Sequence, residues 1–110
     1  MEAEITYDLK AACEHNGIES ADIAGIELEI TGQNDEADWH WIVRTAAGFA
    51  YITGGCDYTG WNCRSSAERF DALTMAEALA LVPQDQRRIF ERMVADGVTR
   101  SPAPTAAGGE

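Results

Sequence analysis

Gly25-Ile26-Glu27-Leu28-Glu29-Ile30-Thr31, then Trp39-His40-Trp41-Ile42-Val43-Arg44, then Phe49-Ala50-Tyr51-Ile52-Thr53, is the stretch whose reading decides the fold. In its first segment Ile26, Leu28 and Ile30 alternate with Glu27, Glu29 and Thr31, the period of a strand with one buried and one solvated face. Both glutamates are then expected to point to water. Gly32-Gln33-Asn34-Asp35-Glu36 reads as a polar turn. After it, Trp39, Trp41 and Val43 fall on one side of a second strand and His40, Ile42 and Arg44 on the other, so both sides of that strand are partly apolar. Thr45-Ala46-Ala47-Gly48 has the composition of a hairpin loop returning the chain into a third strand. The stretch predicts an antiparallel meander.

Upstream, Ile5, Leu9, Ala12 and Cys13 recur at helical spacing and Asn16-Gly17 supplies a stop, which predicts one amphipathic helix over about residues 4–16. Downstream, Gly54 to Cys63 holds three glycines and two large aromatics without a sustained period and is expected to be an irregular loop, with a short fourth strand over residues 67–72. Thr74 with Glu77 reads as a capping box for a short helix carrying Met75, Leu79 and Val82, which Pro83 ends or kinks. A last helix is expected at about 84–96, with Ile89, Phe90, Met93 and Val94 inward, Arg87, Arg88 and Arg92 outward, and Gly97 as its stop. The expected architecture is α+β: an N-terminal helix, a three- to four-stranded antiparallel meander and two short C-terminal helices packed on one face of the sheet. Residues 1–100 form the single domain of this reading and 101–110 a disordered tail.

A chain of 110 residues, 45% hydrophobic and 25% charged, has room for one core and lies outside the collagen-like, disulfide-dense and disordered classes. Its opening MEAEITYDLK carries acids where a secretory signal carries bases, and no apolar run reaches the length of a membrane span, so a cytoplasmic protein is expected. The net charge of -11 disfavours direct binding to nucleic acid. The charge is uneven: residues 1–38 hold eleven acids and the single base Lys10, whereas residues 39–110 hold eight acids and seven arginines. An acidic surface of that kind attracts basic partners and can occupy a groove built for nucleic acid.

The chemistry-bearing residues are sparse. Cys13, Cys56, Cys63, His15 and His40 lack the closely paired spacing of a structural zinc site, and no metal or cofactor is expected. A thiol enzyme would need His40 beside Cys56 or Cys63, but a histidine between two strand tryptophans is more often a packed strand residue than a general base. No phosphate-cradling glycine motif occurs. Tyr58, Trp61 and Arg64 are the residue types most enriched at interface hot spots, and they sit on a glycine-flanked segment. The competing reading has Trp61 fold back against Trp39, Trp41 and Phe49. Trp39, Trp41, Tyr58 and Trp61 are also the aromatics from which a small-molecule or peptide pocket would be built.

The string Tyr58-Thr59-Gly60-Trp61-Asn62-Cys63-Arg64-Ser65, coming after an aromatic strand pair, resembles a Y-T-G-W-x-C-x-S element of small uncharacterised proteins of bacteriophages and bacteria. The resemblance covers roughly residues 39–82 and implies a phage or mobile-element setting rather than an activity. With the charge, it leads to an expected function as a small acidic, non-catalytic protein-binding module. In its sharpest form this is a phage-derived, anti-CRISPR-like inhibitor that mimics DNA and blocks a basic nucleic-acid-binding surface of a host defence complex. The binding residues of that reading are Glu27, Glu29, Asp35, Glu36, Asp38, Tyr58, Trp61 and Arg64, the partner is a protein with a basic surface, and the chain is a monomer or homodimer.

Overall fold

In a computed structural model that describes residues 5–33 and 37–102, the expected strands pair in chain order and a fifth joins them. The elements are α1 (Tyr7–Asn16), β1 (Ile23–Thr31), β2 (Trp39–Thr45), β3 (Gly48–Asp57), β4 (Gly60–Ala72), α2 (Met75–Ala80), α3 (Gln84–Asp96) and β5 (Arg100–Pro102). The sheet order is β4-β3-β2-β1-β5. Strands β1 to β4 form the antiparallel meander, and β5 adds in parallel beside Glu29 to Thr31. The sheet is therefore mixed, and residues 101 and 102, expected in the tail, belong to β5. No helix among the described residues is long and apolar enough to cross a membrane.

The helices sit on opposite faces. On one, α1 lays Leu9, Ala11, Ala12 and Cys13 over Ile23, Trp41, Val43, Ala50 and Ile52. On the other, Ala78 of α2, Val82 of the connecting turn, and Phe90 and Met93 of α3 cover Leu28, Ile30, Ile42 and Tyr51. The two sides of β2 read from the sequence are these two cores.

The helix ends follow local chemistry. Thr6 caps α1 by accepting from the Leu9 N–H, and α1 and α3 each end on a glycine in the left-handed conformation, Gly17 at φ 69° and Gly97 at φ 75°. Thr74 Oγ1 accepts from the Glu77 N–H at 3.1 Å, while the Glu77 carboxylate reaches one residue past the expected partner to the Leu73 N–H at 3.0 Å. Arg87, expected to face out, turns back instead and donates to the carbonyls of Ala80 and Val82 at the end of α2. Those carbonyls have no helical partner of their own, which makes them acceptors for a nearby guanidinium.

Two departures from simple alternation matter for the site. The register of β1 against β2 shifts between Ile26 and Leu28, so Ile26 packs with the α1-side core while Leu28 and Ile30 face the other way. Glu29 keeps the side opposite Leu28 and Ile30, but that side lies under α1, so it is 3% exposed instead of pointing to water. The second departure replaces the irregular loop by a long hairpin: β3 runs on through Gly54 and Gly55 to Asp57, and Tyr58-Thr59 forms the turn. Cys56 pairs with Ser65 but Asp57 pairs with Gly60, so residues 61–64 bulge out of register. Small residues carry this pairing; a Cβ at Gly54 would lie 2.7 Å from the Ser66 carbonyl oxygen. Backbone hydrogen bonds between small residues leave no periodicity in the side chains.

Candidate functional site

The α1 side of the sheet is closed. Trp61 leaves the bulge and packs at 5.0 Å from Trp39 and 6.3 Å from Trp41, ring centre to ring centre, with Nε1 donating to Asp8 of α1 at 3.0 Å. At 4% exposure it takes the folded-back position rather than the surface one, and Trp39 and Trp41 are buried with it. The aromatic pocket considered above is thus core packing. Tyr58 alone of that set is exposed, at 77%, on the hairpin turn.

The acidic residues are dispersed. Glu29 is held among three donors from separate elements: Trp41 Nε1 at 2.8 Å and Thr6 Oγ1 at 3.0 Å on Oε2, and Arg100 Nε at 2.9 Å on Oε1. Glu27 pairs with Arg44, and Asp22 receives a two-pronged contact from Arg69 at 2.8 and 2.9 Å. The Arg69 hydrogen bonds hold the Asp22 carboxyl below its ordinary range. Three arginines of the nearly neutral remainder therefore neutralise three acids of the first third, and the charge asymmetry along the chain is partly cancelled in space. Asp35 and Glu36 lie outside the described residues.

The other face is covered only in part. Helix α3 and the preceding turn stand over one end of it, and between Pro83, Gln86 and Ile89 on that wall and His40, Tyr51 and Thr53 on the sheet there is a cleft of about 380 Å³. Ala37 and Asp38 at its rim also border a shallower depression of about 520 Å³ that runs along the hairpin past Gly55, Asp57, Arg64 and Ser66. The two make one groove across the face. Gly55 leaves room there for the Asp38 carboxylate, which lies across the strand and would have to move aside for a Cβ.

At the centre of the cleft, His40 is 7% exposed and its Nδ1 lies 2.8 Å from Tyr51 Oη and 3.2 Å from Thr53 Oγ1. Thr53 already donates its one hydroxyl proton to the Trp39 carbonyl at 3.0 Å. Thr53 can therefore only accept from the ring, whereas Tyr51 Oη accepts from a protonated Nδ1 or donates to a bare one, so both neutral tautomers fit the contacts. Burial depresses the His40 pKa below its ordinary value near 6.5, with Asp38 acting the other way, and burial raises that of Tyr51. The pair is neutral at pH 7.

Of the residues singled out from the sequence, Asp38 and Arg64 border this groove, and Tyr58 adjoins it through Asp57, whose carboxylate accepts from Thr59 and is held below its usual range by that bond. Glu27, Glu29 and Trp61 do not line it. His40, Tyr51, Thr53 and Gln86 were not singled out as binding residues; the signal for the first three was their common side on two paired strands, confirmed by the register of His40 with Thr53 and of Ile42 with Tyr51.

Cys56 packs in the α1-side core and also borders the shallower depression, while His40 stacks with Tyr51 on the opposite face. Burial pushes the Cys13 thiol up to about 11 and also raises Cys56. No disulfide joins the three cysteines, and no group of three or more potential ligands gathers for a metal ion among the described residues.

Fold and site together define an α+β domain with a mixed sheet, one sealed face and one grooved face. No protein-family model matches this chain, and no curated protein and no solved structure matches it either.

Proposed function

We propose that this protein is a non-catalytic protein-binding module that takes a basic segment of its partner into the groove beside α3. The observation that carries the reading is the charge of the cleft: the Asp38 carboxylate stands at its rim, and no lysine or arginine is among its lining residues. A lysine ammonium or arginine guanidinium supplies only donors and is the natural complement. The net charge of -11 steers such a partner from a distance.

The test is capture of partners by the tagged protein at low and high salt, comparing wild type with Asp38→Lys. Loss of the captured protein in the variant, and at high salt, is the expected result. Equal retention by both proteins sinks the reading. The inhibitor form of this function is the special case in which the basic segment belongs to a nucleic-acid-binding surface. The net charge and the Tyr58–Ser65 resemblance support it, and its test is whether DNA or RNA displaces the captured partner in competition.

A further inference from the structure

Strand β4 is the last strand of the sheet, and from Ser65 to Ala72 it runs in unbroken register with β3. Its outer N–H and C=O groups form a template for another strand. Sheet edges are commonly protected by charged side chains, proline or bulges; here the bulge at 61–64 interrupts only one end, and residues 65–72 contain no proline and three charges, Glu68, Arg69 and Asp71, of both signs. Phe70 stands on this edge, 39% exposed, with one side stacked on Tyr51 at 6.0 Å. Leu73, just beyond, is exposed as well.

We propose that this edge is a homodimer interface, in which a second copy of the chain docks antiparallel, β4 against β4, about a two-fold axis at Phe70. Such an axis stands perpendicular to the sheet, so directly opposed residues point to the same face and the register must centre on a residue. Centring on Glu68 or Arg69 sets like charges against each other. Centring on Ser66 matches Arg64 with Glu68 only by using the bulged segment, and centring on Ala67 opposes the charges to serines. Centring on Phe70 sets Arg69 against the partner's Asp71, twice by symmetry, and brings the two Phe70 rings together beside their Tyr51 neighbours. Arg69 and Asp71 already share one face, since Arg69 Nε donates to Asp71 at 2.8 Å while its other nitrogens hold Asp22, so each Arg69 would stand between its own two aspartates and the partner's Asp71. The axis also sets both grooves on the same side of the joined sheet, where a partner with two basic segments would engage both.

Sedimentation equilibrium of the full chain, extended into the high micromolar range, is expected to show a monomer–dimer equilibrium. Asp71→Arg, at a solvent-exposed position, sets like charges opposite Arg69 and is expected to weaken the dimer at least about tenfold. Register is read by cross-linking in a Cys63→Ser background: Phe70→Cys should form a disulfide-linked dimer under mild oxidation, and Glu68→Cys, whose counterpart is Ala72, should not. A monomer throughout the concentration range overturns the proposal, as does a dimer indifferent to Asp71→Arg or cross-linked through Glu68→Cys in preference to Phe70→Cys. Either failure leaves the groove reading standing, because Asp38→Lys tests that separately.

Discussion

The two faces of the sheet use the same strands to opposite ends. Under α1, three tryptophans, two cysteines and the small residues of a helix close a dry core, and the one buried carboxylate there, Glu29, is fully engaged. Under α2 and α3 the packing stops short: Phe90 and Met93 seal one end, and beyond Ile89 the face opens to the His40 and Tyr51 groove. A small domain cannot leave both faces of its sheet open and still bury enough apolar surface to fold. The tryptophan side supplies stability, and on the proposed function the aliphatic side is the one left for binding.

The sharpest way to break that division is a pair of truncations. Trp41 is completely buried and donates to Glu29, so Trp41→Ala leaves a cavity and removes a donor from a buried carboxylate; it should destabilise by about 3–5 kcal/mol or abolish folding. Tyr51→Phe on the open face removes only the hydroxyl beside His40 and should lower stability by about 1 kcal/mol. Urea unfolding followed by tryptophan fluorescence measures both. Comparable losses at the two sites would end the contrast.

Arg100→Ala probes the closed face more gently. Arg100 comes from β5 and its side chain is 59% exposed, so solvent screens the pair; what remains is a buried Glu29 carboxylate with two donors in place of three. The expected loss is about 1 kcal/mol. Glu29→Leu, which removes the charge but leaves the Trp41 and Thr6 donors unmatched, should be worse than Arg100→Ala, and a reversed order would argue that the carboxylate is not structurally engaged.

How far the sequence carries is clearest in these same residues. The alternation of Trp39 to Arg44 states both faces of β2 directly, and Thr74, Pro83 and Gly97 mark helix ends by local chemistry that needs no tertiary information. The burial of Glu29 was hidden because alternation does not say that a helix covers the second face as well, and because its donors come from positions 6, 41 and 100. The β3–β4 hairpin was hidden because glycine and serine pair through backbone alone. β5 is three residues ending in proline, too short for any period. For the groove, Asp38 and Arg64 were legible as charges. Their neighbours His40 and Thr53 became site residues only through cross-strand pairing and the incomplete cover of α3.

The smallest expected effect is the dependence on pH, and it separates the faces by window. His40 on the open face has its pKa depressed by burial, so the folded state prefers the neutral ring. Above the ordinary value near 6.5 both folded and unfolded chains hold His40 neutral, and its contribution is complete. As the pH falls below that value the unfolded chain takes the proton first, and stability declines until the folded-state pKa is passed. Asp22, depressed chiefly by its Arg69 hydrogen bonds, contributes above its ordinary value of 3.8 and is lost only as the pH falls below it. Denaturation midpoints measured from pH 7.5 to 5.5 should therefore slope downward in the wild type and flatten in His40→Gln, while the loss below pH 4 persists in that variant. A wild-type slope above pH 5.5 that survives His40→Gln would remove His40 from the account and with it the buried, neutral ring assigned to the open face.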